Sequence, residues 1–194
     1  MEEFTNLDYQ YKKLIKAIEN LKDKKKILSA IELAKKSHRG QKRYEGQDYI
    51  IHPLRIANCL IFELSIKDTD LIIASILHDV VEDSNTTIKE IISDFGEKVA
   101  ELVDKLTRNK NKETKQEKFQ KLMEESEDVR LLKALDWLDN IRSFPFRKIE
   151  DKKFFRHVKE ALNMYLPMAE SVNFYIASEM RKIIETLPKP PDFE

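Results

Sequence analysis

The sequence has a single cysteine, Cys59, among its 194 residues. One cysteine cannot form an internal disulfide or a cysteine-based zinc site, and it fits a reducing compartment. Glycine is almost as scarce, with only Gly40, Gly46 and Gly96. Few glycines leave little material for tight β-turns, whereas the abundant Leu, Ile, Lys and Glu favour helices. We therefore predict an all-α fold.

Long apolar runs and an excess of either charge are also missing. The apolar run over residues 71–77 is far too short to span a bilayer, and the N-terminus lacks the pattern of a signal peptide. Lys plus Arg and Asp plus Glu number 35 each, so no overall field attracts nucleic acid or an anionic membrane. We expect a cytoplasmic protein that has neither partner and binds any anion locally.

The apolar pattern predicts a single domain of several helices. Helical spacing runs through residues 7–21 and 27–34, and the second segment ends at Gly40. A loop follows to Ile51. His52-Pro53 then predicts a helix over residues 53–64, because proline is tolerated in the first helical turn.

The next segment predicts the central helix of the domain. Asp68 or Thr69 can cap it, and its run LIIASIL indicates burial nearly all round before it reaches His78-Asp79.

Further helices are expected over residues 87–95, 97–106 and 128–141, with Gly96 as the cap between the first two. The stretch RNKNKETKQEK has no apolar face, which favours a mobile loop or an exposed helix start. Residues 150–187 predict one or two helices interrupted at Pro167, followed by a flexible tail over about 188–194.

The polar residues at the end of the central helix are the first candidates for chemistry. His78-Asp79 is followed at once by Glu82-Asp83. The pair alone is weak evidence, because histidine and aspartate at a helix C-terminus also serve as caps or surface residues.

Two further residues strengthen this candidate. His52 lies at a helix start, and Asp136 lies in an apolar helix, where an unpaired carboxylate would be costly unless it is charge-compensated or faces a cavity. A divalent metal compensates such a charge. Two imidazoles and two carboxylates suit manganese, iron or zinc, and we expect Mn²⁺.

Several ordered segments resemble one family. SHRGQKRYEGQDYIIHP, ASILHDVVEDSNTT and LLKALDWLDNIRSF resemble, in order and spacing, the hydrolase domain of the RelA/SpoT alarmone enzymes. FGEKVAELVDKLTR and MYLPMAESVNFYIASEM are similar to the segments that flank the last metal ligand there. The resemblance spans roughly residues 27–184. It implies an HD-domain helical bundle with a central metal site, a single domain over residues 1–194, closest to the small stand-alone alarmone hydrolases.

The resemblance also implies roles for individual residues. Four metal ligands carry over by position: His52, His78, Asp79 and Asp136. Glu82 and Asp83 fall where the family orients and deprotonates the attacking water. The implied nucleotide contacts are Arg43, Tyr44, Lys133, Asn140 and Ser143, of which the last three share a helix face with Asp136. We assign His38 to structural hydrogen bonding and His157 to the surface.

The implied activity is metal-dependent hydrolysis of the 3′-pyrophosphate of guanosine alarmones, ppGpp or pppGpp to GDP or GTP, without synthetase activity. The sequence departs from the family pattern at Tyr44, Trp137 and Asp139, where lysine, arginine and histidine are common. Because the metal ligands are complete, these departures bear on substrate preference more than on reaction type.

Two alternatives stay open. One is an HD phosphohydrolase that acts on an adenosine alarmone or on the 2′-phosphate of NADPH. The other is a catalytically silent alarmone sensor, although pure binding would not need Glu82-Asp83. The sequence leaves the oligomeric state undetermined, because amphipathic helices serve cores and subunit interfaces equally.

Overall fold

The computed structural model describes residues 2–146 and 152–188, and within them the predicted all-α class is confirmed. These ranges contain no β-strand, only an isolated bridge between Lys42 and Asp48. The helices are α1 (Glu2–Thr5), α2 (Leu7–Ala17), α3 (Lys24–Ser37), α4 (Ile51–Phe62), α5 (Thr69–Leu77), α6 (Val80–Asp83), α7 (Ile88–Phe95), α8 (Glu97–Leu106), α9 (Lys115–Glu124), α10 (Glu127–Arg142), α11 (Lys152–Glu160), α12 (Leu166–Val172) and α13 (Phe174–Thr186).

Helix α5 is the centre of the core, as its sequence predicts. Asp68 caps it by accepting a hydrogen bond from the Leu71 backbone N–H at 3.0 Å, and residues 71–77 are all buried. The helix packs against α3, α4, α8 and α10. Each fully buried leucine or isoleucine there contributes about 1.5–3 kcal/mol relative to exposure. This burial fixes the position of the end of α5, where His78 and Asp79 lie.

Helix α4 begins earlier than predicted. Its first residue is Ile51, so His52 lies in the first turn, before Pro53. Residues 51–61 are all buried, and α4 packs against α2, α5 and α10. The ends of α4, α5 and α10 thereby bring together residues that are distant in the chain.

The charged stretch RNKNKETKQEK contains an exposed helix start, which is one of the two predicted alternatives. Thr114 and Glu117 form a capping box, with Thr114 Oγ1 accepting from the Glu117 backbone N–H and Glu117 accepting from the Thr114 N–H. This cap starts α9, and Leu122 is its one buried residue among those described. Helix α9 therefore forms through its cap and one apolar anchor, signals that composition alone does not show.

The interruption expected at Pro167 is also wrong. A π-helical turn, Ala161–Tyr165, joins α11 to α12, and the Leu166 N–H donates to the Ala161 carbonyl five residues back. Pro167 then lies in the first turn of α12, where its missing N–H is tolerated. The break comes at Asn173, whose backbone is extended and whose side chain caps α13.

The rest of the pattern lies close to prediction. Helix α3 is longer than expected at both ends, and Gly96 ends α7 with a positive φ of 85°. The expected start at residue 150 and nearly all of the expected flexible tail lie outside the described residues. No helix within residues 2–146 and 152–188 is long and apolar enough to cross a membrane.

Candidate metal centre and active site

Residues of α6, α8, α9 and α10 line a cavity of about 520 Å³, together with Asp79 just after the end of α5. Its described lining includes eight cationic side chains against four carboxylates, although the chain as a whole has no net charge. The carboxylates are Asp79, Glu82, Asp83 and Asp136. The cations at the mouth, named here the basic rim, are Lys42, Arg108, Lys110, Lys115, Lys118 and Lys153. The cavity therefore has the local excess of positive charge that an anion bound locally, as expected from sequence, would need.

Two imidazoles lie behind the inner end of this cavity, with ring centroids 5.1 Å apart. The Nδ1 of His78 lies 2.8 Å from the Ser75 carbonyl, which can only accept, so Nδ1 carries a proton. The Nδ1 of His52 lies 2.6 Å from Asp139 Oδ2. Both Nε2 atoms are buried and make no hydrogen bond of regular geometry within the described residues. The two nitrogens thereby face one point.

Two carboxylates face these nitrogens. Asp79 Oδ2 lies 2.9 Å from His78 Nε2 and 3.8 Å from His52 Nε2. Asp136 Oδ1 lies 3.2 Å from His52 Nε2 and 3.9 Å from His78 Nε2. Burial opposes the charging of His78, but Asp79 and Asp136 outweigh it and raise the pKa of His78 to about 9. We call these four residues the cavity floor.

The cavity floor fits a metal ion. One ligand atom each from His52, His78 and Asp79 lies within 4.8 Å of the others, and Asp136 Oδ1 is the adjacent fourth. Buried imidazole nitrogens without a partner, facing carboxylate oxygens, are a donor set suited to a divalent transition metal. All four predicted ligands therefore converge.

Each floor carboxylate is held by a further group. The Tyr49 hydroxyl donates to Asp79 Oδ2 at 2.6 Å. Lys133 Nζ donates to Asp136 Oδ2 and Asn140 Nδ2 to Asp136 Oδ1, both at 2.7 Å. Burial would raise the pKa of Asp136, but Lys133 and the imidazoles hold it below its ordinary value. Asp136 is therefore ionised and oriented at neutral pH.

The acidic pair lies on α6, between the cavity floor and the basic rim. Lys110 Nζ is 2.8 Å from Asp83 Oδ1 and 3.2 Å from Glu82 Oε1. Glu82 Oε2 also accepts a hydrogen bond from the Arg108 backbone N–H at 3.0 Å. Both predicted water-handling residues thus line the cavity.

The predicted nucleotide contacts divide into two groups. Arg43, Tyr44, Lys133 and Asn140 line the cavity. Ser143 does not: it is buried and its hydroxyl lies 3.3 Å from guanidinium nitrogens of Arg43 and Arg55. The Ser143 side chain therefore faces these two guanidinium groups and lies outside the described cavity lining, and its predicted substrate contact stays a prediction.

An aromatic wall completes the cavity. Trp137 and Tyr165 stack with centroids 3.9 Å apart, and His157 meets the Trp137 ring edge-on at 6.3 Å. The surface assignment of His157 is therefore wrong, since it is largely buried and lines the cavity. His38, by contrast, makes the expected structural contact, with Nδ1 3.0 Å from Gln41 Oε1.

Asp139 and Arg55 were not predicted as site residues. Asp139 lies behind His52 and outside the described cavity lining, so its departure from the family pattern does not change the lining directly. Arg55 pairs with it through two hydrogen bonds of 2.7 and 2.9 Å. Their spacing in the sequence could have indicated this role, because Arg55 follows His52 by three residues on α4 and Asp139 follows Asp136 by three residues on α10.

In this helical bundle, buried histidines and aspartates meet beside a cation-lined cavity. This combination is typical of helical proteins that hold a metal ion. The HD domain family matches residues 30–173 of the sequence. The chain belongs to the HD domain family.

The chain is also similar to longer curated proteins. It is 42% identical over 156 residues to a guanosine-3′,5′-bis(diphosphate) 3′-pyrophosphohydrolase of Aquifex aeolicus (strain VF5), covering 77% of this chain and 22% of that protein. It is 32% identical over 169 residues to the bifunctional (p)ppGpp synthase/hydrolase SpoT of Escherichia coli (strain K12), covering 82% and 24%. The chain thus spans about a quarter or less of these relatives' lengths.

Among solved structures, the fold is similar to that of a metazoan ortholog of SpoT described as hydrolysing ppGpp and acting in starvation responses. The TM-score is 0.73 at 24% identity, over 82% of this chain and 94% of that one. The resemblance to the RelA/SpoT hydrolase domain is confirmed by these comparisons.

Proposed function

We propose that the chain hydrolyses the 3′-pyrophosphate of ppGpp and pppGpp, leaving GDP or GTP. One observation carries the proposal: a buried histidine and carboxylate cluster opens into a cavity where cations outnumber carboxylates two to one. Such a cavity suits a small polyanion at a metal site. The names of the curated relatives support the guanosine alarmone as that polyanion.

The proposed metal ligands are the four residues of the cavity floor, and Mn²⁺ is the proposed ion. A set of two imidazoles and two carboxylates suits this ion as well as iron or zinc. When bound, a divalent cation lowers the pKa of water and stabilises charge on phosphoryl oxygens.

Glu82 and Asp83 are the proposed proton acceptors. Lys110 contacts both carboxylates, which holds them at the cavity where water can reach them. In the proposed step, water oxygen bonds to the phosphorus attached to ribose O3′ and the bond from phosphorus to O3′ breaks. One carboxylate takes the water proton, and O3′ leaves with a proton supplied from the surrounding water.

The remaining cavity residues bind and orient the nucleotide. Arg43 donates to Asn140 Oδ1 at 2.9 Å, and Asn140 donates in turn to Asp136, so the wall and the floor are rigidly connected. Tyr44, which is 49% exposed, offers an aromatic face at the mouth. Arg43 and Lys133 supply positive charge beside the transferred phosphoryl group.

The test is product analysis by mass after incubating the full chain with Mn²⁺ and ppGpp, pppGpp, ppApp or NADPH. In H₂¹⁸O we expect GDP and pyrophosphate from ppGpp, with the label in pyrophosphate, because water attacks phosphorus. No cleavage of either guanosine compound would overturn the proposal. Label in GDP would overturn the assigned bond cleavage.

The aromatic wall favours a second candidate substrate. Trp137 stacked on Tyr165 offers a face to any purine, because stacking discriminates weakly between bases. Rapid turnover of ppApp or NADPH beside slow turnover of ppGpp would favour this alternative. Nucleotide binding by calorimetry without any product would instead indicate a silent sensor.

A further inference from the structure

The two floor imidazoles are held by different partners. His78 Nδ1 meets a neutral backbone carbonyl, whereas His52 Nδ1 meets the carboxylate of Asp139 at 2.6 Å. A carboxylate behind a ligating histidine fixes the ring and increases its basicity more than a carbonyl does.

Arg55 contacts both oxygens of that carboxylate. Its Nε donates to Asp139 Oδ1 at 2.7 Å and its Nη2 to Oδ2 at 2.9 Å, and both residues are buried. Both oxygens of Asp139 thus act as acceptors, and Oδ2 faces His52 Nδ1 in the same role. His52 Nδ1 must therefore be the donor. With that proton on Nδ1 of the neutral ring, Nε2 carries the lone pair and faces Asp136 and Asp79.

We propose that Asp139 and Arg55, named here the internal clamp, are positioning residues that hold His52 in the tautomer able to bind a cation through Nε2. The inference rests on the proposed metal site. His52 Nε2 is buried without a hydrogen bond of regular geometry and lies 3.2 Å from Asp136 Oδ1. In this tautomer Nε2 could therefore bind a cation together with that carboxylate.

The clamp also connects the cavity wall to the floor. Arg55 Nη2 donates to Glu45 at 2.9 Å, and Arg43 lies 3.8 Å from Asp139 Oδ2. Two buried cations and two buried carboxylates therefore balance one another behind His52. Removing a whole side chain from this set would leave both a gap and an uncompensated buried charge. The variants below therefore keep the shape of the side chain (Asp139→Asn) or its charge (Arg55→Lys).

A second pair serves as a matched control. Glu63 and Arg142 also join α4 to α10 through two hydrogen bonds, of 2.9 and 2.7 Å, but Glu63 contacts no floor residue in the described structure. Asp139→Asn and Glu63→Gln thus make the same chemical change in the same helix pair. Only the first touches His52.

The first measurement is Mn²⁺ affinity of the full chain by competition with a chelator. We expect Asp139→Asn to weaken binding about 10–100-fold. Arg55→Lys, which keeps the charge but loses the two-point contact, should weaken it severalfold. Glu63→Gln should change it by less than about twofold. Equal affinities for Asp139→Asn and the wild type, or an equal loss in Glu63→Gln, would overturn the proposal.

The second measurement is the tautomer of His52, from ¹⁵N–¹H correlation spectra of the metal-free chain. Only four histidines contribute signals, and His52→Gln assigns the relevant one. We expect the proton on Nδ1 in the wild type and a shift toward Nε2 in Asp139→Asn. A wild-type ring protonated on Nε2 alone would contradict the proposal even if the variants failed to fold.

Neither measurement uses turnover. If affinity and tautomer behave as expected while no nucleotide is cleaved, the proposed function fails and the internal clamp stands.

Discussion

The cavity floor and the basic rim face the same space but differ in how they are held. Floor side chains are 1–19% exposed and each has a fixed partner. Rim side chains such as Lys42, Lys110 and Lys115 are 43–60% exposed. A rigid floor can hold a metal and position a reaction, whereas an exposed rim attracts an anion with little geometric demand. Substitutions at the floor should therefore lower kcat, whereas substitutions at the rim should weaken the affinity for the anionic substrate.

The largest effect is expected from Asp136→Ala. Loss of this carboxylate removes a proposed ligand and leaves Lys133 unpaired, so bound Mn²⁺ and turnover should both be lost. We expect kcat to fall at least about a thousandfold, equivalent to about 4 kcal/mol. Metal content by mass spectrometry and helix content by circular dichroism check this. Asp104→Ala, at an exposed position on α8, is the control, and full activity in Asp136→Ala would contradict the site.

Glu82→Gln should separate chemistry from metal binding. The amide cannot accept the water proton, so we expect kcat to fall about 10²–10⁴-fold while Mn²⁺ content is unchanged. Steady-state kinetics with metal analysis measure both quantities. Glu101→Gln on α8 is the exposed control. A loss of metal equal to that in Asp136→Ala would place Glu82 in the floor instead.

Lys118→Met should show the weaker role of the rim. Lys118 Nζ donates to the Thr107 carbonyl at 2.6 Å and has no salt-bridge partner within the described residues, so its charge is available to substrate phosphate. We expect KM to rise about tenfold with kcat little changed, a loss of about 1.4 kcal/mol. Lys121→Met, on the same helix but paired with Glu113, should leave KM unchanged.

The same lysine predicts a pH dependence. Burial, with the nearby charge of Lys133, lowers the pKa of Lys118 below its ordinary value. The cation is present below that pKa and lost above it, so the KM advantage of the wild type over Lys118→Met should shrink as pH rises toward 10. An advantage that grew with pH would contradict this role.

The smallest effect is expected from Tyr44→Ala at the mouth. Loss of an exposed ring should raise KM about two- to fivefold and leave kcat unchanged, since one exposed stacking contact contributes about 1 kcal/mol. Tyr44→Phe keeps the ring and should resemble the wild type. A larger change in the ratio of ppGpp to ppApp turnover than in either KM would assign Tyr44 to base selection.

The sequence predicted those features that depend on neighbouring residues, namely helix positions, helix caps and the spacing of polar residues on one helix. The buried run of α5, the Asp68 cap and the spacing around Asp136 placed the floor residues on helices whose ends meet. Family resemblance supplied the assignment of ligands. Their convergence is a tertiary property, and only the structure shows the distances.

The parts that were missed depend on contacts between distant residues. Ser143 and Asp139 share α10 with Asp136, yet helical spacing alone does not tell a cavity-facing side chain from one that faces Arg55. His157 looked like a surface residue because α11 is highly charged, and its partner Trp137 is twenty residues earlier. Such pairings depend on packing angles that one-dimensional periodicity does not contain.

The π-helical turn has a consequence for how this fold can vary in length. A π turn holds one residue more than the α-helical turn it replaces, and each residue advances a helix by about 100°. The wider turn absorbs that extra residue, so deleting one residue from Ala161–Tyr165 would leave an unbroken α-helix in which α11 keeps the side that it presents to the cavity. The same deletion inside α11 has no wide turn to absorb it and would rotate the residues before it by that angle relative to α12.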